Sequence, residues 1–436
     1  MGAGILLSDA FVSRAQNPGD ESVATALEKA ANFLAAGRPR DALDALQPVA
    51  RRESDNPWMW FYRGTACVQL GNPYKAMKHY DRALDVLAAL GNPDPELVAK
   101  VRLHRLRARQ QVFRISFQPG LAFDTNVTYL GKGTTNTIDQ ISGEEDAKFG
   151  SQFHIDYAPI ADEADTLAVG VRLGHAWNFS VEQFNYQDYG AYVRYARRIG
   201  RNWEAAVRYD YDITCLGNES FLSNHALTPS IAYHWDPAST PLRPDQSMAY
   251  YTFEARDFLY DDDPEFDRDG LANAVGFEQS FQFDPLPRWT WDLTAGYRFT
   301  SISTEGTEYD RPAHDFYLGL SVPLVNPADT RKYLIIPDKE LIFGFNVQWH
   351  LADYRNPSLI DSDHRERSDR ITTYGWSLSQ KLIEDPDYGD LTLHTIIHWT
   401  DADSNVTIRD EGSRFLYSSP FTYDKVVYGI QLAWTW

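Results

Sequence analysis

The chain changes its rhythm once. Between residues 22 and 111 apolar positions recur every three or four residues, as on a helix face; from Val112 onward they alternate one by one, as on a strand. In WEAAVRYDY, Trp203, Ala205, Val207, Tyr209 and Tyr211 share one face while Glu204, Arg208 and Asp210 share the other. WTWDLTAGYRF sets Trp289, Trp291, Leu293, Ala295, Tyr297 and Phe299 against Asp292, Thr294, Gly296 and Arg298. LIFGFNVQW sets Leu341, Phe343, Phe345, Val347 and Trp349 against Gly344, Asn346 and Gln348. About fourteen such segments follow, beginning near residues 112, 147, 166, 184, 203, 221, 247, 269, 288, 310, 340, 366, 388 and 421.

Each segment runs for roughly 10 to 16 residues, whereas strands in soluble sheets average about 5 to 6. A tilted strand crosses the hydrocarbon of a membrane in about 9 to 11 residues. The connections alternate in kind as well. ADEAD (161–165), GRN (200–202) and DPLPR (284–288) are tight, while 128–146, 261–269, 355–365 and 403–420 are long and polar. One tight end and one loopy end predict an antiparallel transmembrane β-barrel of about 14 strands over residues 112–436, in a bacterial outer membrane with the tight turns in the periplasm. Charges on the face opposite the aromatics are then lumen charges: Arg114, Arg172, Arg194, Arg208 and Arg298 with Asp124, Glu204, Asp210 and Asp292. His350, His394 and His398 fall on the same polar face, as hydrogen-bonding groups. The competing architecture is a large soluble sandwich or propeller; propeller blades should repeat, and no repeat is visible here.

Composition narrows the function classes. A formal charge of -20, from 41 Lys and Arg against 61 Asp and Glu, excludes nucleic acid as the expected partner. Mean hydropathy is -0.45 and no apolar run is long enough for a membrane-spanning helix, which leaves a barrel open because half of each strand faces a polar lumen. At 14% aromatic residues the chain is too rich in ring side chains to be a disordered acidic polymer. Cys67 and Cys215 fall in different segments and imply no disulfide framework. Residues 1–21 carry a weak apolar run before Ser13-Arg14-Ala15, expected to be a signal-peptide remnant or a disordered segment.

Residues 22–111 contain an internal repeat. Gly37 and Gly71 are 34 residues apart (71 − 37), and the same offset pairs Ala30 with Gly64, Ala42 with Ala76, Leu46 with Tyr80 and Val49 with Ala83. With Trp60 and LGNPYKAMKHYDRAL in the second copy, this segment resembles tetratricopeptide repeats, which implies stacked antiparallel helices that bind other proteins. The helix DPELVAKVRLHRLRARQQ (94–111) is a candidate cap for the stack. Its arginines form the only dense basic run, which is either a solvated face or a contact with an acidic partner or anionic lipid. Candidate partner-binding residues are Trp60, Tyr80, Arg102, Arg105, Arg107 and Arg109.

The sequence stops within an alternation, on IQLAWTW. Gly429, Leu432, Trp434 and Trp436 resemble the signal by which the barrel-assembly machinery of the outer membrane recognises its clients; Val427 departs from it, standing where that signal has a polar residue. An even strand number would put Trp436 at the periplasmic interface, among aromatic girdles.

A helical-repeat domain followed by such a barrel, with PGLAFDTNVTYL opening the first strand at Asp124 and Asn126-Val127, resembles the surface lipoprotein assembly modifiers. The resemblance implies a monomeric outer-membrane protein with its helical domain in the periplasm, which helps translocate or display a protein or lipoprotein client. The alternative is an exopolysaccharide-export or small-solute channel. An enzyme is not expected: HExxH, GxSxG and Gly-rich phosphate loops are absent from the sequence, and no cofactor is implied. The acidic run 261–269 is either a solvated loop or a Ca²⁺ or lipopolysaccharide-cation site.

Overall fold

The computed structural model describes residues 18–50, 55–127, 145–235, 242–259, 264–286, 289–325, 340–409, 417–419 and 421–436. The expected signal remnant therefore lies outside the described residues, except that helix α1 already begins at Pro18.

Five helices come first: α1 (Pro18–Ala35), α2 (Pro39–Ala50), α3 (Pro57–Gln69), α4 (Pro73–Ala89) and α5 (Pro95–Gln110). Each starts on a proline, whose missing N–H has no partner to lose in a first turn. Asn56, Asn72 and Asp94 cap α3, α4 and α5 by accepting from backbone N–H groups of the first turn. The 34-residue offset marks one helix ending used twice. Gly37 and Gly71 both take positive φ, and the next residue in each case, Arg38 or Asn72, donates its N–H back to Phe33 or Cys67. None of the described helices is long and apolar enough to cross a membrane.

The helices pack α1 on α2, α3 on α4, and α5 on α4, around a core that includes Leu34, Leu46, Met59, Phe61, Leu87 and Val101. Tyr80 belongs to that core and is fully buried, which corrects its assignment as a partner-binding residue. Its ring lies against Gly64, where an added Cβ would come within 2.5 Å of it, and its hydroxyl is 3.3 Å from that of Thr65. Trp60 is only half-buried, stacked on His79 at 5.6 Å with Arg63 at 5.2 Å from its ring.

From Phe113 the chain is strand. The barrel begins with β1 (Phe113–Asp124), β2 (Asp146–Ala161), β3 (Asp165–Asn178), β4 (Tyr186–Ile199), β5 (Trp203–Leu216), β6 (Glu219–His234) and β7 (Leu242–Phe258). It continues with β8 (Gly270–Leu286), β9 (Trp289–Thr304), β10 (Arg311–Val325), β11 (Leu341–Pro357), β12 (Glu366–Asp385) and β13 (Gly389–Ser404). A small ladder, β14 (Ile408–Arg409) with β15 (Tyr417–Ser418), interrupts the path to the last barrel strand, β16 (Tyr423–Thr435). The fourteen long strands close in the order β1-β16-β13 and then downward to β2, every neighbour antiparallel. They run from 12 residues in β1 to 20 in β12, somewhat beyond the expected upper length.

Large apolar side chains are exposed on all fourteen strands, among them Leu121, Val171, Val207, Ile231, Val275, Phe316, Ile397 and Ile430. An uninterrupted outward apolar surface on a closed sheet is stable against hydrocarbon, so this is a membrane-spanning barrel of the outer-membrane type. The connections at 162–164, 200–202 and 386–388 are tight and lie at the end where the helices sit. Two connections break the expected alternation: Gly217-Asn218 makes a two-residue turn at the distal end with both φ positive, and 326–340 joins β10 to β11 at the helical end.

The distal loops are tied to one another. Buried Glu308 accepts from the Ser358 hydroxyl at 2.7 Å and the Leu359 N–H at 2.8 Å. Buried Asp361 pairs with Arg365 at 2.9 Å and accepts from the Thr407 N–H at 2.8 Å. Three successive loops are joined by two carboxylates that hydrogen bonds and one cation satisfy.

Val207 is 40% exposed on the outer face of β5, and Ala206 beside it faces the lumen. Val207→Arg should cost about 2 to 4 kcal/mol near the bilayer midplane, and Ala206→Arg much less, when unfolding is followed in lipid vesicles. Equal costs would overturn the assignment of faces. In the helical domain, burial lowers His79 and His104 to about 4, with Arg63 and Lys75 adding to the first and Arg107 and Lys100 to the second. The unfolded chain takes up these protons near pH 6.5, so the stability involved is complete above that pH and is lost as pH falls toward about 4. The denaturant midpoint of the helical signal should fall over that window, and His79→Gln with His104→Gln should flatten the fall; an equally steep profile in the double variant excludes these histidines as its source.

Candidate functional site: the helical end and the lumen

Helix α5 places its basic residues against the barrel rim. Arg102 lies 3.9 Å from Asp387 in the turn between β12 and β13, and Arg107 pairs with Glu384 at the end of β12. Arg105 turns back to Asp81 of α4 at 2.5 Å. Arg109 lies 3.7 Å from the ring centroid of Trp436, with its Nε and Nη2 buried and without hydrogen-bond acceptors. Burial, with Arg105 nearby, pulls the Arg109 pKa below its ordinary value. In this structure Arg102, Arg105 and Arg107 face this chain's own carboxylates, and Arg109 faces an indole. Exposed ion pairs of this kind contribute about 0.2 to 1 kcal/mol each, so the orientation of the domain rests on several together.

Further contacts extend the docking around the rim. The Tyr74 hydroxyl donates to the Ala158 carbonyl of β2 at 2.8 Å, Arg40 reaches Glu163 in the next turn at 3.4 Å, and Arg198 of β4 donates to the Leu70 carbonyl at 3.4 Å. Gln110 donates to the Thr435 carbonyl at 3.5 Å. In barrel order the strands touched or flanked are β12, β13, β16, β1, β2, β3 and β4, half of the fourteen and all consecutive.

The middle of that arc is the closing seam. Ile115 and Trp436 exchange backbone hydrogen bonds at 2.9 Å each. The ladder then skips Gln118 and Pro119, since proline has no N–H to donate, and resumes at Gly120 opposite Gln431. Gly429 sits in close approach there, where a Cβ would be 2.7 Å from the Leu121 carbonyl oxygen. Leu432 and Trp434 point outward, and the Trp434 indole donates to the Tyr388 carbonyl at 2.8 Å. Far along the seam Asp124 is buried between Lys148 of β2 at 2.9 Å and Lys425 of β16 at 3.0 Å. It pins three strands together rather than facing open lumen.

Most of the other lumen charges are paired, across strands or, for Arg208 with Asp210, within β5. Arg114 meets Asp156 at 2.7 Å, and Tyr192 donates to the same carboxylate at 2.7 Å. Arg208 lies over the Tyr192 ring at 4.2 Å and pairs with Asp210 at 2.6 Å. Arg172 bridges Asp188 at 3.0 Å and Asp212 at 2.7 Å; Arg194 meets Glu204 at 2.6 Å. Across the barrel Asp315 holds Arg298 at 3.0 Å and His350 at 2.7 Å, while His394 bonds Ser379 at 2.7 Å. Asp292 stands opposite Gln282 on the neighbouring strand. These side chains make a polar wall whose charges are largely offset by one another.

Sequence reasoning missed the lumen tyrosines. Tyr192, Tyr250 and Tyr317 lie flat over Gly170, Gly276 and Gly296 of adjacent strands, where any Cβ would collide with the ring. The signal was present as glycines on the polar face of a strand, each opposite a tyrosine, but only the register shows it. Of the acidic run 261–269 only 264–269 is described, and no cluster of three or more metal-ligating groups forms among the described residues.

No family model and no curated protein matches the chain. Solved structures do match. A bacterial polysaccharide outer membrane secretin aligns at 10% identity with a TM-score of 0.37, over 73% of this chain and 98% of that one. An anion-selective porin from Comamonas acidovorans aligns at 8% and 0.36, over 74% and 99%, and a Pseudomonas aeruginosa FadL homologue at 9% and 0.40, over 80% and 93%. At such identities and scores the likenesses carry no functional argument.

The Arg109–Trp436 contact can be measured directly. A double-mutant cycle of Arg109→Ala and Trp436→Leu, read as protection of the helical domain from protease, should give a coupling of about 0.5 to 2 kcal/mol. Strict additivity would mean that the stacked pair does not hold the domain.

Proposed function

We propose that the protein is a bacterial outer-membrane translocator whose helical domain stands in the periplasm and feeds a protein or lipoprotein client to the barrel. The observation that carries this reading is the docking of the five-helix domain, through α2, α4, α5 and the α3–α4 turn, along an arc of seven consecutive strands. A domain held on half of a rim positions whatever it binds at the barrel's opening. The helical pairs, with their repeated Schellman endings and the Gly64–Tyr80 contact, support a tetratricopeptide-type stack, whose concave face would take an extended peptide or a helix. We infer no chemistry for the protein beyond transport.

The second reading is a channel for small solutes or polysaccharide, which the ion-paired lumen wall favours, because fixed and satisfied charges let hydrated solutes pass without strong binding. Removing residues 18–110 separates the two. The translocator should still insert and migrate faster on gels before heating than after, yet lose surface display of its client. Undiminished display by the truncated barrel, or free conductance of sugars by the intact protein without any client, decides for the channel.

A further inference from the structure

A cavity of about 370 Å³ opens inside the distal mouth of the barrel, on the wall formed by β7 and β9–β12. Arg256, Arg268, Arg311 and Arg367 converge on it, and no carboxylate lines it among the described residues. In a chain of formal charge -20 that concentration of cations requires a cause.

Arg256 pairs with Glu254 at 2.5 Å and Arg367 with Asp369 at 2.7 Å. Arg311 forms no ion pair among the described residues. Its Nη1 donates to the Tyr354 hydroxyl at 3.1 Å, and its Nε is buried without an acceptor. Aromatic faces hold the guanidinium groups in position. Arg367 lies 3.4 Å from the Phe421 ring centroid and 4.5 Å from that of Tyr354; Arg311 lies 5.0 Å from Tyr354 and Arg268 4.6 Å from Tyr309. Stacking fixes a guanidinium without cancelling its charge, and leaves its N–H edges free to form hydrogen bonds. The loops beside the cavity are already tied through Glu308 and Asp361, so the site is preformed.

We propose that this cavity binds a small oxyanion-bearing ligand, a carboxylate or phosphate on a body about the size of one sugar ring. The guanidinium fork matches both oxyanions in two-point contact, and the volume lies at the lower end of the roughly 300 to 1,000 Å³ of small-molecule sites. The site is independent of which cargo the barrel moves.

Isothermal titration of the full-length protein in detergent tests it, with inorganic phosphate, glucose 6-phosphate, galacturonate, neutral glucose, and phosphatidic acid in mixed micelles as probes. At least one soluble anion should bind saturably and glucose should not; whether phosphate or galacturonate binds better tells which oxyanion is the natural one. Arg311→Gln should weaken that binding at least tenfold, and Arg311→Lys, which keeps the charge and loses the fork, should fall between. Heat-modifiable migration checks folding; should Arg311→Gln fail it, Phe421→Leu, which releases Arg367, should weaken binding in its place. Arg38→Gln in the helical domain should change nothing. Absence of soluble-anion binding, equal binding of glucose, binding of phosphatidic acid alone, or full affinity in the Arg311 and Phe421 variants would each overturn the site and leave the stacked arginines as braces of the mouth.

Discussion

Everything in this molecule depends on one ladder, the pairing of β1 with β16. In hydrocarbon an unpaired backbone N–H or C=O costs several kcal/mol, so a sheet of fourteen strands is tolerated there only when its first and last strands meet. They meet under constraint. Pro119 removes a rung from the middle of the seam, and Gly120 and Gly429 bring the two backbones too close for a side chain. Ile115 with Trp436 fastens one end, and Asp124 between Lys148 and Lys425 fastens the other. The DTNV segment at the end of β1 belongs to that second fastening, since Asn126 donates to the Asp424 carbonyl and Thr125 accepts from Val426.

The helical domain is centred on the same seam. Arg109 rests on Trp436, the residue that closes the ladder, and Gln110 donates to Thr435 beside it. Because α5 runs into β1 with only Gln111 and Val112 between them, the helix is an extension of the first strand's anchoring as well as the cap of the helical core. Its arginines therefore have two neighbours, the core of α3 and α4 on one face and the acidic rim on the other, and no long linker lets the domain leave the barrel. Individually weak ion pairs act here on a body already confined, so the entropy each must overcome is small.

Much of this was legible in the sequence. Strand number, strand starts to within about five residues, and the two faces of each strand follow from a strict period of two, because a slip of one residue would turn every apolar side chain into the lumen. The partner of a charge is not legible in that way. Arg172 was readable as a lumen residue, but its bridging of Asp188 and Asp212 depends on the register of three strands. Tyr80 illustrates the converse: its position in the repeat was readable, but its burial follows from Gly64 on the facing helix. The basic stripe of α5 drew attention to an outside partner because the acidic turn that meets it lies nearly three hundred residues further along the chain.

The barrel treats its arginines in two ways, and the difference sets the electrostatics of the path through it. Along β1–β5 Arg114, Arg172, Arg194 and Arg208 are each met by a carboxylate, so this part of the lumen wall is polar but nearly neutral. At the distal mouth Arg256 and Arg367 pair with carboxylates, while rings stack on Arg268, Arg311 and Arg367, which orients each cation and leaves its N–H edges accessible. Among the described residues, a protein with an overall excess of acid thus gathers arginines at the distal mouth of its barrel. Field lines confined within a low-dielectric wall strengthen such a patch beyond what the same charges would do on an open surface. An oxyanion bound as proposed would sit in this patch, and the ion-paired wall of β1–β5 offers it no second site of the same kind.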